Sequence, residues 1–252
     1  MRALTVAGRP AGYLEAGGGR PVVLVHGAGG RGAVWAPQLA ALGDIARLLA
    51  PDLPGHGATA GPGHQAIGEY ADWVLGFLDA ARLARPVVGG HSMGGAIAQT
   101  LALAHPDRVG GLVLVGTGAR LRVLPRILEA LREAPPEALG LLGSLSYGAA
   151  TPPERVVEAD RALRETAPWV TLGDYLACDR FDVMDRIGAI RAPTLVVVGR
   201  EDRLTPPKYA AHLAAAIPGA RLVEVDGAGH FAQLEQPAAV NAALRGYLLS
   251  LP

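Results

Sequence analysis

The sequence predicts a doubly wound α/β domain, built on a mostly parallel sheet of eight strands and carrying a helical insertion. The first observation is a set of short Val/Leu-rich runs that are each closed by glycine and separated by helical patterns, which is typical of buried parallel strands. These runs begin at Pro21, Arg85, Gly111 and Pro193. The second observation is that this alternation stops between Thr117 and Arg191, where helical patterns alone continue.

Weaker strand patterns complete the count of eight. "RALTVAG" and "AGYLEAGG" precede the first strong run and are expected to form a hairpin. "IARLLAPD" lies between the first two strong runs, and "ARLVEVDGAGH" follows the last one. The two halves of the chain therefore contribute strands to one sheet.

The insertion predicts four short amphipathic helices, with prolines mostly at their starts or between them. Their segments are "LPRILEALREA", "PEALGLLGSL", "PERVVEADRALRET" and "PWVTLGDYLACDRF". We therefore expect a core domain formed by residues 1–118 and 191–252, and a helical cap formed by residues 119–190 over the C-terminal edge of the sheet.

Charge and cysteine content narrow the classes of function. The 252 residues have a formal net charge of zero and no block of like charges, so a nucleic acid or an anionic membrane is not an expected partner. A small molecule is the expected ligand, and the sequence does not indicate an oligomeric state. Cys178 is the single cysteine, which excludes an intramolecular disulfide and a cysteine-based metal cluster. Arg9, Glu15 and Arg20 interrupt the N-terminal apolar pattern, so a cytoplasmic protein is expected.

The segment "VVGGHSMGGAIAQTLA" places Ser92 at the corner between a predicted strand and a predicted helix. Gly90-His91-Ser92-Met93-Gly94 matches the pattern G-x-S-x-G. Where a strand turns abruptly into a helix, side chains two residues before and two residues after the corner residue would clash. The two glycines avoid this clash. The strained turn presents the serine hydroxyl above the sheet, and Ser92 is the candidate nucleophile.

A serine hydroxyl needs a base to remove its proton and a further residue to orient that base. His230 fits the base, because "EVDGAGHFAQLEQP" places it just after the last predicted strand on a glycine-supported loop. The preceding strand closes with "VVVGREDRLTPP", which offers two acids, Glu201 and Asp202. No metal or other cofactor is implied by this chemistry.

The order Ser92, Asp202, His230 resembles that of the α/β-hydrolase superfamily, over essentially the whole chain. "HGAGG" from His26 resembles the oxyanion loop of that superfamily, and "PDLPGHG" from Pro51 resembles its next turn. The region after the insertion is similar to small esterases, enol-lactonases and cofactor-free haloperoxidases. The resemblance implies the α/β-hydrolase fold, with Asp202 as the orienting acid. It also implies that the backbone N–H groups of Ala28 and Met93 hold an oxyanion.

A competing pattern lies at the start of the same region. The pattern G-x-G-x-x-G, formed by Gly27, Gly29 and Gly32, follows a predicted strand. Asp52 lies at the end of the next predicted strand, and this combination is typical of a dinucleotide-binding site. Pro37 argues against this interpretation, because it indicates that the helix begins only around residues 35 to 37 and leaves a broad loop. We expect His26, Asp52 and His56 to stabilise loops through hydrogen bonds.

The predicted function is a serine hydrolase that cleaves a small ester or lactone by acyl transfer. A carbon–carbon bond hydrolase or perhydrolase with the same three residues remains an alternative, as does a slow-turnover ligand sensor. Apolar and aromatic cap residues are expected to dock the cap and partly to line the substrate pocket. The candidates for substrate contact are Leu141, Leu145, Tyr147 and Trp169.

Overall fold

The computed structural model describes residues 1–252, apart from the side chain of Glu158. Eight strands form one sheet in the order β1-β2-β4-β3-β5-β6-β7-β8. The strands are β1 (Arg2–Val6), β2 (Arg9–Ala16), β3 (Arg20–Val25), β4 (Ala46–Pro51), β5 (Val87–His91), β6 (Gly111–Val115), β7 (Thr194–Gly199) and β8 (Arg221–Val225).

The helices alternate with these strands along the chain. They are α1 (Ala36–Leu42), α2 (Ile67–Ala80), α3 (Met93–Ala104), α4 (Pro125–Glu133), α5 (Pro135–Ser146), α6 (Val157–Glu165), α7 (Pro168–Arg180), α8 (Pro207–Ala216), α9 (Ala232–Glu235) and α10 (Pro237–Ser250). Within the described part of the chain, no helix has the length and apolar character needed to cross a bilayer.

The sheet is parallel except at one edge, as the sequence predicts. β1 and β2 form a hairpin whose two turn residues, Ala7 and Gly8, have φ angles of 48° and 78°, and β2 pairs antiparallel with β4. Two consecutive positive φ angles suit the right-handed twist of a two-residue hairpin. The strands from β4 across to β8 are parallel, so their carboxyl ends meet at one edge.

Helices cover both faces of the sheet, which explains the unbroken apolar runs of the central strands. In β3, Val23 and Val25 belong to a core cluster that includes residues of α2 and α3. Val22 and Leu24 point to the other face and belong to a cluster that includes residues of α1 and α10. The core is therefore two apolar layers that fix the sheet and leave its carboxyl edge open for a site.

The four helices α4 to α7, which we call the cap helices, lie between β6 and β7, where the sequence predicts four helices. Proline occupies the first turn of α4, α5 and α7, where its missing N–H costs no hydrogen bond. Ile127, Leu131, Ala138 and Leu142 give the cap helices a small apolar cluster of their own. The division into a core domain and a cap at residues 119 and 190 stays a prediction.

Candidate active site

Ser92 occupies a strained corner between β5 and α3. Its backbone angles are φ 53° and ψ −116°, and few residues other than glycine have a positive φ. A Cβ atom at Gly90 would collide with the backbone of Gly94, and one at Gly94 would collide with the carbonyls of Val25 and His26 at the end of β3. The two glycines are therefore required for the turn itself, as the sequence analysis expects.

The end of β6 holds this corner in place. The Ser92 N–H donates to the Val115 carbonyl at 2.9 Å, and the Thr117 hydroxyl donates to the Ser92 carbonyl at 2.8 Å. The Ser92 hydroxyl itself makes no hydrogen bond to any described residue. The side chain is thus fixed by its backbone and left available to a ligand in the adjoining cavity.

His230 and Asp202 meet at the same edge of the sheet. His230 Nδ1 lies 2.9 Å from Asp202 Oδ2, and both side chains are almost fully buried. The Asp202 carboxylate also accepts hydrogen bonds from the Leu204 N–H, the Thr205 N–H and the Thr205 hydroxyl. Burial alone would raise the pKa of Asp202, but His230 and these donors hold that pKa below its ordinary value. An ionised Asp202 fixes the proton of His230 on Nδ1 and leaves Nε2 as a base.

His91, the residue before Ser92, supports His230 from behind. Its Nε2–H donates to the His230 carbonyl at 2.9 Å, and the two ring centroids lie 4.6 Å apart. Burial, together with the neighbouring His230, lowers the pKa of His91 to about 3. His91 is therefore neutral at physiological pH and packs against the site without exchanging a proton there.

Glu235 organises the loop that carries His230, and sequence reasoning missed it. This buried carboxylate accepts hydrogen bonds from the N–H groups of Gly148, Gly229 and Phe231 at 2.7, 2.9 and 3.0 Å. Gly148 follows α5, so one carboxylate binds both the loop of His230 and a segment of the insertion. A signal was present in "HFAQLEQP", because an acid close after His230 can collect the N–H groups of its loop.

The loop after β3 passes close to Ser92. A Cβ atom at Gly27 would lie 3.0 Å from His91 Nδ1 and 3.2 Å from the Ser92 Cβ, which are tight contacts that glycine avoids. Ala28 follows and lines the cavity beside Ser92. Met93 is the first residue of α3, where helical N–H groups have no intrahelical acceptor. The two predicted oxyanion residues therefore flank Ser92 from different elements.

The dinucleotide interpretation fails on the same loop. A turn of 3-10 helix spans Gly32–Trp35, and α1 begins only at Ala36, so the glycines do not open a helix that would bind a pyrophosphate. The Asp52 carboxylate is occupied, because it accepts from the N–H groups of Gly32 and Ala58 at 2.7 and 2.8 Å. His26 accepts from the Leu53 N–H at 3.0 Å. The expected structural roles of Asp52 and His26 are confirmed.

His56 belongs to a buried polar cluster centred on Asp174 of α7. Asp174 Oδ2 lies 2.8 Å from His56 Nε2, and the Tyr70 hydroxyl donates to Asp174 Oδ1 at 2.5 Å. Burial alone would lower the pKa of His56, but the charge and hydrogen bond of Asp174 raise it above its ordinary value. Sequence reasoning missed Asp174. Its signal was an acid on the apolar face of α7, four residues after the buried Val170.

The cavity beside Ser92 has two lobes. Five residues line both of them: Ala28, Ser92, Tyr175, Leu204 and His230. The small lobe has a volume of about 40 Å³ and extends towards α5 and α6. The large lobe has a volume of about 230 Å³, and its apolar wall includes Leu121, Val123, Ile127 and Cys178. Ser92 and His230 therefore stand where two parts of one substrate can diverge.

The cap residues predicted to contact substrate lie in different parts of the structure. Tyr147 lines the small lobe, and its hydroxyl donates to Asp160. Leu141 and Leu145 instead pack against the apolar cluster of the cap helices, because the inward stripe of α5 is Ala138, Leu142 and Ser146. Neither residue lines the two lobes described above, whereas their neighbour Leu142 lines the small lobe, and their contact with substrate stays a prediction.

Trp169 lies away from the cavity. It is the second residue of α7, its side chain is 68% exposed, and it borders a surface groove beside His64. The inward stripe of α7 is formed by Val170, Asp174 and Cys178 instead. The aromatic character of Trp169 indicated a pocket residue, but the helical phase of its buried neighbours turns it outward.

Residues 22–243 match the model of the alpha/beta hydrolase family. The chain belongs to this family. The hydrolase is 31% identical to the 2-hydroxy-6-oxo-2,4-heptadienoate hydrolase of Pseudomonas putida over 88% of this chain and 86% of that protein. It is 37% identical to a thermophilic esterase of known structure, with a TM-score of 0.90 and coverage of 99% and 97% of the two chains.

A third comparison extends the range of activities among similar proteins. The hydrolase is 29% identical to the enol-lactonase from Burkholderia xenovorans LB400, with a TM-score of 0.90 over 99% of this chain and all of the other. The predicted fold and the resemblance to small esterases are therefore confirmed. The similar proteins share a fold and hydrolytic names, while their named substrates differ.

Proposed function

We propose that this hydrolase cleaves small esters or lactones by acyl transfer to Ser92, with His230 as the general base and Asp202 as the residue that orients it. The observation that carries the proposal is the 2.9 Å contact between His230 Nδ1 and Asp202 Oδ2. Both residues lie where the strained corner of Ser92 opens into the cavity that His230 also lines.

The reaction follows from the atoms present. Ser92 Oγ attacks the carbonyl carbon of the ester while its proton passes to His230 Nε2. The oxyanion accepts hydrogen bonds from the N–H groups of Ala28 and Met93. When the carbon–oxygen bond breaks, the leaving alkoxide takes the proton from His230. Water then repeats the sequence on the acyl-serine, releasing the carboxylic acid and restoring Ser92. Serine, imidazole and backbone amides supply every group in these steps, so no cofactor is required.

The free hydroxyl of Ser92 is consistent with this order of events. In unliganded enzymes the hydrogen bond between nucleophile and base is often long and tightens only when substrate binds. The rigid backbone at Ser92 and the bonded Asp202 leave few torsions to adjust. Ser92 and His230 line the same cavity, where side-chain rotation can bring the two groups together when substrate binds.

The two lobes indicate how a substrate is divided. We assign an uncharged apolar acyl chain to the large lobe, whose wall includes Leu121, Val123 and Ile127. The two arginines at this lobe are exposed, and Arg203 is bound to the Ser144 carbonyl. The alcohol part fits the small lobe, where Tyr147 and Asp160 offer polar atoms. An unpaired carboxylate in the aliphatic wall would lose its hydration without compensation, so charged acyl groups are disfavoured.

A second candidate, carbon–carbon bond hydrolysis, is favoured by the similarity to the heptadienoate hydrolase. The same three residues would serve it, because a carbonyl carbon is again attacked and a stabilised carbanion replaces the alkoxide as leaving group. A panel that contains p-nitrophenyl butyrate, a γ-lactone and a vinylogous 1,5-diketone distinguishes the two activities by relative kcat/KM.

The decisive experiment combines turnover with active-site titration. The wild-type protein should hydrolyse p-nitrophenyl butyrate through many cycles and should incorporate one equivalent of a fluorophosphonate on Ser92, located by peptide mass spectrometry. Ser92→Ala should lose both properties and keep its circular dichroism spectrum. Labelling at another residue would refute the proposed nucleophile, and a single burst without turnover would indicate a ligand sensor.

A further inference from the structure

Two residues of the insertion hold both backbone polar groups of Gly29, the residue next to the proposed oxyanion donor Ala28. The Gly29 N–H donates to Asp174 Oδ2 at 2.8 Å. The Thr166 hydroxyl shares its single proton between the Gly29 carbonyl at 3.0 Å and the Ala162 carbonyl at 2.9 Å. Thr166 follows α6, and Asp174 lies in α7. Since Gly29 directly follows Ala28, these two bonds fix the end of the segment that carries the proposed oxyanion N–H.

Asp174 is itself held so that it can do this. Its side chain is fully buried, and the same carboxylate binds His56 and the Tyr70 hydroxyl. His56 lies in the loop after β4, and Tyr70 lies in α2, which follows that loop. The carboxylate therefore joins α7, the core and the Gly29 peptide in one network, where each bond limits the movement of the others.

Side chains of the cap also surround Gly29. Its φ angle is +63°, and a Cβ atom there would lie 2.5 Å from the Leu163 side chain and 3.3 Å from that of Thr171. Both neighbours belong to cap helices. The loop at Gly29 is thus shaped by contacts with α6 and α7 as well as by its own backbone.

From this arrangement we infer that Asp174 and Thr166 are positioning residues for catalysis: the cap aims the Ala28 N–H at the oxyanion through its two bonds to Gly29. The inference rests on the proposed function. Displacing the cap would free the two peptide units that flank Gly29 and would misdirect the neighbouring Ala28 N–H. Charge stabilisation at the reacting carbonyl therefore depends on two residues that do not touch the substrate.

The test compares Thr166→Val, Thr166→Ser and Asp174→Asn on p-nitrophenyl butyrate. Valine keeps the shape of Thr166 without its hydroxyl, and an amide at position 174 places a second donor among His56, Tyr70 and the Gly29 N–H. Misplacing one oxyanion donor should lower kcat roughly tenfold to a hundredfold, with KM changed by less than about threefold. Thr166→Ser keeps the hydroxyl and should stay within about twofold of wild type.

A second measurement separates positioning from mere stability. An alkyl trifluoromethyl ketone adds to an active serine and forms a tetrahedral oxyanion, so its Ki should rise by the same factor as kcat falls. The control is Asp179→Ala, because the Asp179 carboxylate binds the Val123 N–H within the insertion and not Gly29. That control should leave kcat and Ki within about twofold of wild type.

The outcomes are separable. Wild-type kcat and Ki in a folded Thr166→Val protein would overturn the inference, as would an equal loss in Asp179→Ala or in Thr166→Ser. If Asp174→Asn does not fold, Thr166→Val and its serine counterpart decide alone. Failure of the proposed function gives a different result, since Ser92→Ala would then retain turnover.

Discussion

Glu201 and Asp202 are adjacent in the chain, yet their carboxylates bind two different loops. Asp202 Oδ2 lies 2.9 Å from His230 Nδ1, whereas Glu201 Oε2 accepts from the Ala149 N–H at 2.7 Å. Motif spacing alone does not decide which of the two acids contacts His230. In the structure, the path of the chain after β7 directs the Asp202 side chain to His230 and the Glu201 side chain to Ala149.

The pair gives a matched test of the orienting acid. Asp202→Asn should lower kcat by about three to four orders of magnitude, because the amide reverses the tautomer of His230. Glu201→Gln keeps an acceptor for the Ala149 N–H and should change kcat by less than about threefold. Steady-state kinetics on one ester suffice, and a larger loss for Glu201→Gln would reverse the assignment.

The strained backbone at Ser92, the proposed nucleophile, should lower the free energy of unfolding of the protein. We expect Ser92→Gly to be more stable to urea than Ser92→Ala by about 1 kcal/mol, because backbone strain of about 1–3 kcal/mol exceeds the entropic cost of glycine. Both variants should be inactive. Equal midpoints of unfolding would show that the surrounding contacts, and not the residue, absorb the strain.

Activity should rise with pH through one ionisation, because the base that accepts the proton of Ser92 must be neutral. Asp202, with its lowered pKa, stays ionised across this range, and His91, with a pKa of about 3, stays neutral. The profile of kcat/KM between about pH 5 and about pH 9 checks this. Addition of EDTA should have no effect, and two steps in the rising limb would contradict the role given to His91.

The contact between His56 and Asp174 predicts how stability depends on pH. Asp174 raises the pKa of His56 in the folded state, so its contribution is fully present below the unfolded value of about 6.5 and is lost as pH rises through the folded pKa. Burial and His56 lower the pKa of His26 well below the ordinary value, so its contribution has the opposite sign and acts below the unfolded value of about 6.5, outside the window of His56.

Urea unfolding of wild type and His56→Gln measures this contribution. Glutamine retains a donor for Asp174 but does not titrate. The difference in free energy of unfolding between the two proteins should therefore shrink from about pH 6 to about pH 9. A difference that is constant with pH would mean that His56 is neutral in the folded protein.

The large lobe predicts the preferred acyl group. Along a series of p-nitrophenyl esters, each methylene should contribute up to about 0.8 kcal/mol to kcat/KM until the lobe is full. Val123→Phe should move the optimum to shorter chains, because Val123 lines that lobe. A preference for an acyl group ending in a carboxylate would contradict the apolar assignment and point to Arg122, which borders the same lobe.

The fold was accessible from sequence because buried strands and glycine-closed corners leave local signals. The four strong apolar runs became β3, β5, β6 and β7, and the four helical segments of the insertion became α4 to α7. Ser92 was found through the glycines that its turn requires. These features depend on residues close in the chain, where sterics and periodicity determine structure.

The pocket was less accessible, because it depends on how distant elements are rotated against each other. Leu141 and Leu145 carry the same apolar signal as Leu142, and only the packing of α5 separates them. Asp174 was missed for a related reason: its partners Gly29, Tyr70 and His56 lie more than a hundred residues away along the chain. No local sequence pattern specifies contacts between residues so far apart in the chain.

Cys178 gives this enzyme a built-in reporter. It is the one cysteine in the sequence, it lies in the wall of the large lobe, and burial raises the pKa of its thiol. A thiol reagent reacts with the thiolate, so labelling waits for exposure of this wall to solvent. The alkylation rate therefore reports access to the large lobe, and any molecule that occupies the lobe should slow that rate whether or not it is hydrolysed.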